Sequence, residues 1–145
     1  MRIIVDADAC PVKDIIIKNA RKKNIPVLMF ASINHVLNDD YAQVIYVDHG
    51  RDSADYAIAN NVKKGDLVIT QDYGLAALVL SKQALAMNQN GIIYNSKNIE
   101  TLLLQRHINQ KIRNSGGRIS GPSKRKKKNN VTFEQVLKKH LPTNS

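Results

Sequence analysis

Several residue types are scarce in this chain of 145 residues, and each scarcity excludes something. The single cysteine, Cys10, excludes an intramolecular disulfide and is typical of a reducing compartment. Tryptophan is absent and aromatic residues make up 5%, so we expect a core of Ile, Val, Leu and Ala. No apolar run approaches the roughly 20 residues of a membrane-spanning helix, and strand-like sequence from residue 2 predicts no signal peptide. Together these absences favour a cytoplasmic protein.

Acidic residues are scarce in the last third of the chain. Residues 1–100 contain eleven Lys or Arg and eleven Asp or Glu, so their charges cancel. Residues 101–145 contain eleven Lys or Arg and one acid, Glu134, and therefore carry the whole net charge of +10. Such a basic segment indicates a polyanionic partner, with nucleic acid, RNA in particular, as the expected one. A solvated basic tail without a partner is the alternative.

Apolar runs of strand character alternate with segments of helical periodicity. The pattern predicts strands over residues 2–6, 26–32, 44–48 and 67–70, with an edge strand over 91–94. It predicts helices over residues 11–23, 53–62, 75–87, 97–113 and 132–141. Pro11 is expected at the first position of its helix, and Ser53 and Thr132 as caps. The alternation is typical of an α/β fold, here a three-layer sandwich around a parallel sheet of four or five strands.

Composition divides the chain into three parts. Residues 1–113 are expected to form the α/β domain, long enough to bury a sizeable core. Residues 114–130 combine Gly, Ser, Pro and a basic run, and are predicted to be a flexible basic segment. Residues 131–145 are predicted to be a C-terminal helix and tail that dock on the domain.

Acidic residues recur where predicted strands end. Asp6 and Asp8 follow the first strand, Asp48 the third and Asp72 the fourth, while Asp55 lies in the first turn of a predicted helix. In a parallel sheet these ends share one edge, where ligands bind. Carboxylates gathered there suit one or two Mg²⁺ or Mn²⁺ ions, which support phosphodiester hydrolysis. The alternative is that each Asp only caps a helix and complements its dipole.

Three stretches carry a resemblance to a known family. They are Val-Asp-Ala-Asp-Ala-Cys-Pro-Val at 5–12, Gly-Arg-Asp-Ser-Ala-Asp at 50–55 and Gly-Asp-Leu-Val-Ile-Thr-Gln-Asp at 65–72. In these stretches, and in Gly121-Pro122 and the terminal helix, the chain resembles the YaiI/YqxD family of uncharacterised bacterial proteins. That family is similar to PIN-like nuclease domains.

The resemblance to PIN-like domains implies a Mg²⁺ or Mn²⁺ site. Asp6 would match the acid that ends the first strand, Asp55 the helix acid and Asp72 the acid of the Thr-x-Asp motif, with Thr70 as the supporting hydroxyl. PIN domains usually carry another acid in an early helix, where Asp14 is a poor match, and Asp8 is the candidate to replace it.

A second enzyme interpretation is a phosphatase similar to the haloacid dehalogenases. There, one of two aspartates after the first strand is the nucleophile and the other a general acid or base, and Asp6 and Asp8 resemble that pair. Ser32, after the second strand, would also fit the pattern. Cys10, where Thr or Val is usual, and Pro11, which leaves no room for the insertion such enzymes carry, argue against it.

Other residues are predicted to support the site or bind the substrate. Cys10 precedes a helix start, where a thiolate would be stabilised, but it lacks a visible base and is interpreted as a packing or phosphate-facing residue. Further supporting residues are Asp48, Arg51, Asp52, Ser53 and Thr70. Tyr73 is a candidate to stack on a base or to cap the core. The residues predicted to contact nucleic acid are Lys13, Arg51, Arg118, Lys124, Arg125, Lys126, Lys127 and Lys128.

The leading hypothesis is a divalent-metal-dependent nuclease that acts on RNA through attack of metal-activated water on a phosphodiester. Asp6, Asp8, Asp55 and Asp72 would be catalytic residues and ligands of Mg²⁺ or Mn²⁺. The rival hypothesis is a nucleic-acid-binding protein that has the PIN-like scaffold without catalysis.

Overall fold

Five strands and five helices alternate along the part of the chain that the computed structural model describes, residues 1–8, 10–33, 39–48, 53–119 and 124–143. The strands are β1 (Ile3–Asp6), β2 (Val27–Ser32), β3 (Gln43–Val47), β4 (Leu67–Ile69) and β5 (Leu85–Met87). The helices are α1 (Lys13–Lys22), α2 (Ser53–Asn61), α3 (Tyr73–Ser81), α4 (Ser96–Asn114) and α5 (Lys127–His140). Among these described helices, none is long and apolar enough to cross a membrane.

The strands form one sheet in the order β3-β2-β1-β4-β5, and every neighbouring pair is parallel. β1 lies at the centre, with Ile3 opposite Val27 of β2 on one side and Leu67 of β4 on the other. The predicted α/β class and parallel sheet are therefore confirmed, with five strands.

Alternating residues of the central strands face two separate cores. Ile3 and Val5 lie in a cluster with residues of α1 and α5, whereas Ile4 lies in a second cluster with residues of α2, α3 and α4. A buried strand alternates its side chains between the two faces, so a run that is apolar at every position needs cover on both. The two clusters are consistent with the predicted three layers.

The fifth strand lies within a segment predicted to be helical. We expected one helix over residues 75–87, but α3 ends at Ser81 and Leu85–Met87 pairs in parallel with β4. Gln83 adopts a left-handed conformation at φ 64°, which turns the chain back toward the sheet. Leu, Ala and Met favour helices intrinsically, and here pairing with β4 overrides that preference. The expected strand over 91–94 is only an isolated bridge between Ile93 and Met87.

The boundaries of α1 and α5 also differ from expectation. Pro11 lies in the turn before α1, which begins at Lys13. α5 begins at Lys127, five residues before the predicted cap Thr132, so residues 127–130 belong to a helix. The side chains of Phe133 and Leu137 are completely buried in the core that contains α1.

Polar contacts join α5 to α1 as well. Glu134 Oε2 accepts a hydrogen bond from Asn19 Nδ2 at 2.8 Å and lies 2.9 Å from Lys18 Nζ. These contacts and the buried apolar side chains hold α5 against the domain.

Candidate active site

The order of the strands creates a crevice between β1 and β4. From β1 the chain proceeds outward to β2 and β3, then crosses back to β4 and β5 on the other side. In open parallel sheets such a switch point leaves a binding crevice at the carboxyl ends of the strands. Asp6 ends β1 and Thr70 follows β4, and because Val5 is opposite Ile69 the two residues lie side by side.

Hydrogen bonds through Thr70 connect the two acids at this crevice. Thr70 Oγ1 donates to Asp6 Oδ2 at 3.2 Å and accepts from the backbone N–H of Asp72 at 3.1 Å. Asp72 Oδ1 in turn accepts from the backbone N–H of Leu75 at 3.0 Å and so caps α3. The Tyr94 hydroxyl donates to the Thr70 carbonyl at 3.1 Å. Thr70 is therefore held on both its backbone and its side chain, and it positions both acids.

Asp6 has the most perturbed carboxyl group of this region. Its burial raises its pKa to about 6, and the negative charges of Asp8 and Asp72 act in the same direction. The hydrogen bond from Thr70 opposes this effect by favouring the ionised form. A cation beside Asp6 would relieve both the desolvation and the repulsion.

Asp8 is fixed from the other side of β1. Its carboxylate oxygens accept hydrogen bonds from the backbone N–H of Ser32, at the end of β2, at 3.1 and 3.2 Å. The acid is thereby anchored between the ends of β1 and β2.

These acids lie in a cavity of about 740 Å³, which we call the strand-end cavity. Asp6, Asp8 and Asp72 lie along its floor with Thr70 and Cys10, and Tyr73 lies beside them. A wall of the cavity is one face of α4, since its lining residues recur at helical spacing: Leu102, Gln105, Arg106, Asn109, Gln110 and Arg113. Three carboxylates, two guanidinium groups and several amides therefore line one cavity.

The polar face of α4 was missed in the interpretation of the sequence. Gln105, Asn109 and Arg113 recur at intervals of four residues, with Arg106 and Gln110 beside them. This spacing predicts one continuous polar stripe, but a polar stripe on a helix ordinarily faces solvent. Only the position of α4 over the crevice gives the stripe a role. Gln71 and Gln89 also line the cavity and were also missed.

Other predicted site residues lie elsewhere. Asp48 is exposed at the end of β3, an edge strand two places from β1, which puts the strand ends roughly 10 Å apart. Asp55 is half-buried in the first turn of α2 and is not among the described residues that line the strand-end cavity. Arg51 and Asp52 lie outside the described residues, and Ser53 is the first residue of α2.

Within the described ranges, no group of three or more His, Cys, Asp or Glu side chains is placed to hold a metal ion. The convergence of Asp6, Asp55 and Asp72 on one ion therefore stays a prediction. The floor of the cavity offers carboxylates from Asp6, Asp8 and Asp72, the hard oxygen donors that Mg²⁺ and Mn²⁺ prefer. Mg²⁺ is commonly held by one or two carboxylates, with water and substrate phosphate completing its shell, so the residues present fit such an ion.

Four of the eight residues predicted to contact nucleic acid line a second cavity. Lys124, Arg125, Lys126 and Lys128 line this cavity of about 390 Å³, which we call the basic cavity. Lys127 is exposed at the start of α5, and Arg118 is exposed after α4. Lys13 begins α1, and its Nζ donates to the Ala7 carbonyl at 3.4 Å, beside the acidic turn.

Cys10 is buried in the floor of the strand-end cavity. Burial raises the pKa of its thiol above the ordinary value, although nearby positive charge from Lys13 and Arg125 opposes the shift in part. A protonated thiol is a poor nucleophile, which favours a packing role over a chemical one.

Comparison with known proteins gives consistent matches. A family model described as "Uncharacterized BCR, YaiI/YqxD family" matches residues 4–143. A "UPF0178 protein" of Ruminiclostridium cellulolyticum is 56% identical over 137 residues, 94% of this chain and 90% of that protein. Another, of Alkaliphilus oremlandii, is 50% identical over 144 residues, 99% of this chain and 93% of that protein. No solved structure matches. The similarity to PIN-like domains stays a prediction.

Proposed function

The chain belongs to the YaiI/YqxD family, and we propose that it is a divalent-metal-dependent nuclease that hydrolyses RNA phosphodiesters in the strand-end cavity. The observation that carries this proposal is the pairing of an acidic floor with a cationic wall. Asp6, Asp8 and Asp72 line the cavity from the ends of β1 and β4, and Arg106 and Arg113 line it from α4.

A phosphodiester suits both sides of this cavity. Its anionic oxygens need cations, and guanidinium groups bind phosphate with paired hydrogen bonds. Carboxylates alone would repel the same phosphate. A cation bound between the acidic floor and the phosphate would offset that repulsion. The combination favours phosphoryl chemistry over binding of a neutral or cationic ligand.

Mg²⁺ or Mn²⁺ would be held by Asp6 and Asp72, which Thr70 keeps together, with Asp8 as a further carboxylate. When bound, such an ion lowers the pKa of water and neutralises charge on the reacting phosphoryl group. The raised pKa of Asp6, about 6, is consistent with a site whose carboxylates are destabilised until a cation is present.

The protein's own side chains would orient the substrate. Arg106 and Arg113 would bind the non-bridging phosphate oxygens and stabilise the charge that increases toward the transition state. Gln105 and Asn109 offer amide donors for sugar or phosphate oxygens. Tyr73, whose ring contacts Tyr94 edge-to-face with centroids 6.3 Å apart, offers a surface on which a base can stack.

One observation favours the second candidate, a nucleic-acid-binding protein without catalysis. In the part of the chain that the structure describes, no three His, Cys, Asp or Glu side chains are placed to hold a metal ion together. In that case RNA would bind to the cationic wall, and the acids would serve only to cap helices and anchor turns. The phosphatase interpretation built on Asp6, Asp8 and Ser32 stays a prediction.

Cleavage of a labelled single-stranded RNA tests the proposal. We expect wild type to cleave it with Mn²⁺ and not with EDTA, and Asp6→Asn to lose the activity. Asp40→Asn is the matched control, because Asp40 is a well-exposed carboxylate paired only with Arg21 among the ion pairs of the described residues. RNA binding without metal-dependent cleavage would favour the second candidate. Equal cleavage by wild type and Asp6→Asn would contradict the nuclease proposal.

A further inference from the structure

The basic cavity carries charge of one sign. Its described lining residues are Gln89, Asn90, Lys124, Arg125, Lys126, Lys128 and Asn129, with no Asp or Glu among them. Lys124, Lys126 and Lys128 are exposed. Three lysines and an arginine around one concave surface produce a positive potential that attracts phosphate groups.

Arg125 gives this surface a fixed shape. Its guanidinium group donates to Asn130 Oδ1 at 2.9 Å, to Asn90 Oδ1 at 2.8 Å and to the Gln89 carbonyl at 2.9 Å. These bonds join the segment before α5 to the loop after β5. The lysines on either side of Arg125 therefore extend from an anchored backbone.

The two cavities are adjacent. Gln89 lines both of them. Arg125, in the basic cavity, donates a hydrogen bond to the carbonyl of Gln89 at 2.9 Å. An RNA strand that extends out of one cavity past Gln89 therefore enters the other cavity.

The sizes of the cavities also suit neighbouring parts of one strand. Volumes of about 740 and 390 Å³ fall within the roughly 300–1,000 Å³ range of small-molecule pockets, the scale of one or two nucleotides. Separate recesses fit a strand whose nucleotides are splayed apart, and single-stranded RNA is recognised in this way. A base-paired duplex keeps its bases stacked inside and would not fill two recesses.

We infer that the basic cavity holds the phosphates next to the scissile one, so that the substrate is a single-stranded RNA several nucleotides long. This inference rests on the proposed function for the position of the scissile bond. The binding of a longer strand across Gln89 does not depend on catalysis.

The test is a triple variant, Lys124→Ser, Lys126→Ser and Lys128→Ser. All three residues are exposed, and serine at position 126 is a favoured N-cap for α5, so the fold should persist. The control is Lys63→Ser, Lys64→Ser and Lys139→Ser, which removes the same charge from exposed lysines. Lys63 and Lys64 precede β4, and Lys139 lies at the end of α5. The chain just after α5 is near the end of α1, because Lys23 Nζ donates to the Pro142 carbonyl. The control positions therefore lie toward the amino ends of the strands.

Binding of a ten-nucleotide polyuridine and of a uridine dinucleotide would be measured in EDTA over a range of salt. We expect the triple variant to bind the decamer about tenfold more weakly and to lower the salt slope by about 2, roughly 0.7 for each phosphate that a lysine no longer neutralises. The control should match wild type, and dinucleotide binding should not change. A decamer duplex should compete poorly.

Equal salt slopes for the triple variant and its control, or equal competition by duplex, would overturn the inference, as would failure of wild type to bind the decamer. Cleavage assays with Mn²⁺ are read separately. If wild type binds the decamer no more tightly than the dinucleotide but still cleaves RNA, only this inference is removed. Length-dependent binding without cleavage would remove only the nuclease proposal.

Discussion

The floor and the wall of the strand-end cavity are built in opposite ways. Asp6, Thr70 and Asp72 lie at the ends of central strands, and hydrogen bonds of 3.0–3.2 Å join them to one another and to α3. Arg106 and Arg113 instead extend from a helix that is exposed or half-buried beyond Leu102. The floor is positioned by the core of the protein, whereas the wall depends on one helix at the surface.

This difference suggests a division of roles. A rigid floor suits chemistry, since reacting groups must be held within about 0.5 Å of their productive positions. An exposed cationic wall suits capture of substrate, because long side chains adapt and charge attracts at a distance. Substitutions on the floor should therefore change the reaction rate, and those on the wall should change the affinity.

The largest effect is expected at Asp72. Asparagine caps helices as well as aspartate, so Asp72→Asn should keep α3 intact while removing a carboxylate from the cation site. We expect cleavage to fall by about 1,000-fold or more while RNA binding persists or tightens, since a negative charge is removed. Single-turnover cleavage and fluorescence anisotropy on the same RNA would measure both. Parallel losses of rate and affinity would break the division between floor and wall.

The next effect concerns the stability of the floor in EDTA. Because the pKa of Asp6 in the folded protein is raised to about 6, its protonated form stabilises the fold below pH 4, and this contribution is lost as the pH rises through 6. The shift corresponds to at most about 3 kcal/mol of unfolding free energy. We predict that Asp6→Asn is more stable than wild type at pH 7.

Urea unfolding at several pH values would measure this difference. It should grow from pH 4 to pH 6.5 and then level off, and Asp40→Asn should show no such growth. A constant difference across that range would mean that Asp6 is not repelled or desolvated as the structure indicates.

A smaller effect is expected on the wall. Arg106→Gln with Arg113→Gln should weaken RNA binding about tenfold and lower the salt slope by about 1.4 for single strands, with a smaller change in the rate at saturation. Lys97→Gln with Lys111→Gln is the control, since both lysines are exposed on α4 and neither is among the described cavity-lining residues. A large loss of maximal rate with unchanged affinity would place the arginines in the chemistry.

The smallest effect is expected at Cys10. Burial raises the pKa of its thiol, so the group stays protonated near neutral pH and contributes no nucleophile. Cys10→Ala should therefore retain cleavage within about threefold, since it removes only a small packed side chain. A loss comparable to that of Asp72→Asn would show that the thiol takes part in the reaction.

The sheet and the floor could be predicted because their signals are local. Asp6 and Thr70 each follow an apolar run, and parallel pairing brings such positions to one edge. β5 could not be predicted, because Leu85, Ala86 and Met87 favour a helix and only the neighbouring strand makes them extended.

The wall and the strand order required long-range information. Nothing near Arg106 indicates that α4 lies over the crevice, and nothing near Asp48 indicates that β3 is an edge strand. Both facts depend on how distant segments pack, so a rule based on strand ends alone does not show that Asp48 follows an edge strand two places from β1.

Anomalous scattering from a crystal soaked in Mn²⁺ tests the central claim most directly. We predict a peak in the strand-end cavity about 2.0–2.2 Å from carboxylate oxygens of Asp6 and Asp72. The Asp6→Asn protein, soaked in the same way, should lack it. No peak in the cavity of wild-type crystals, or peaks only on surface carboxylates, would contradict a metal-dependent active site at the ends of β1 and β4.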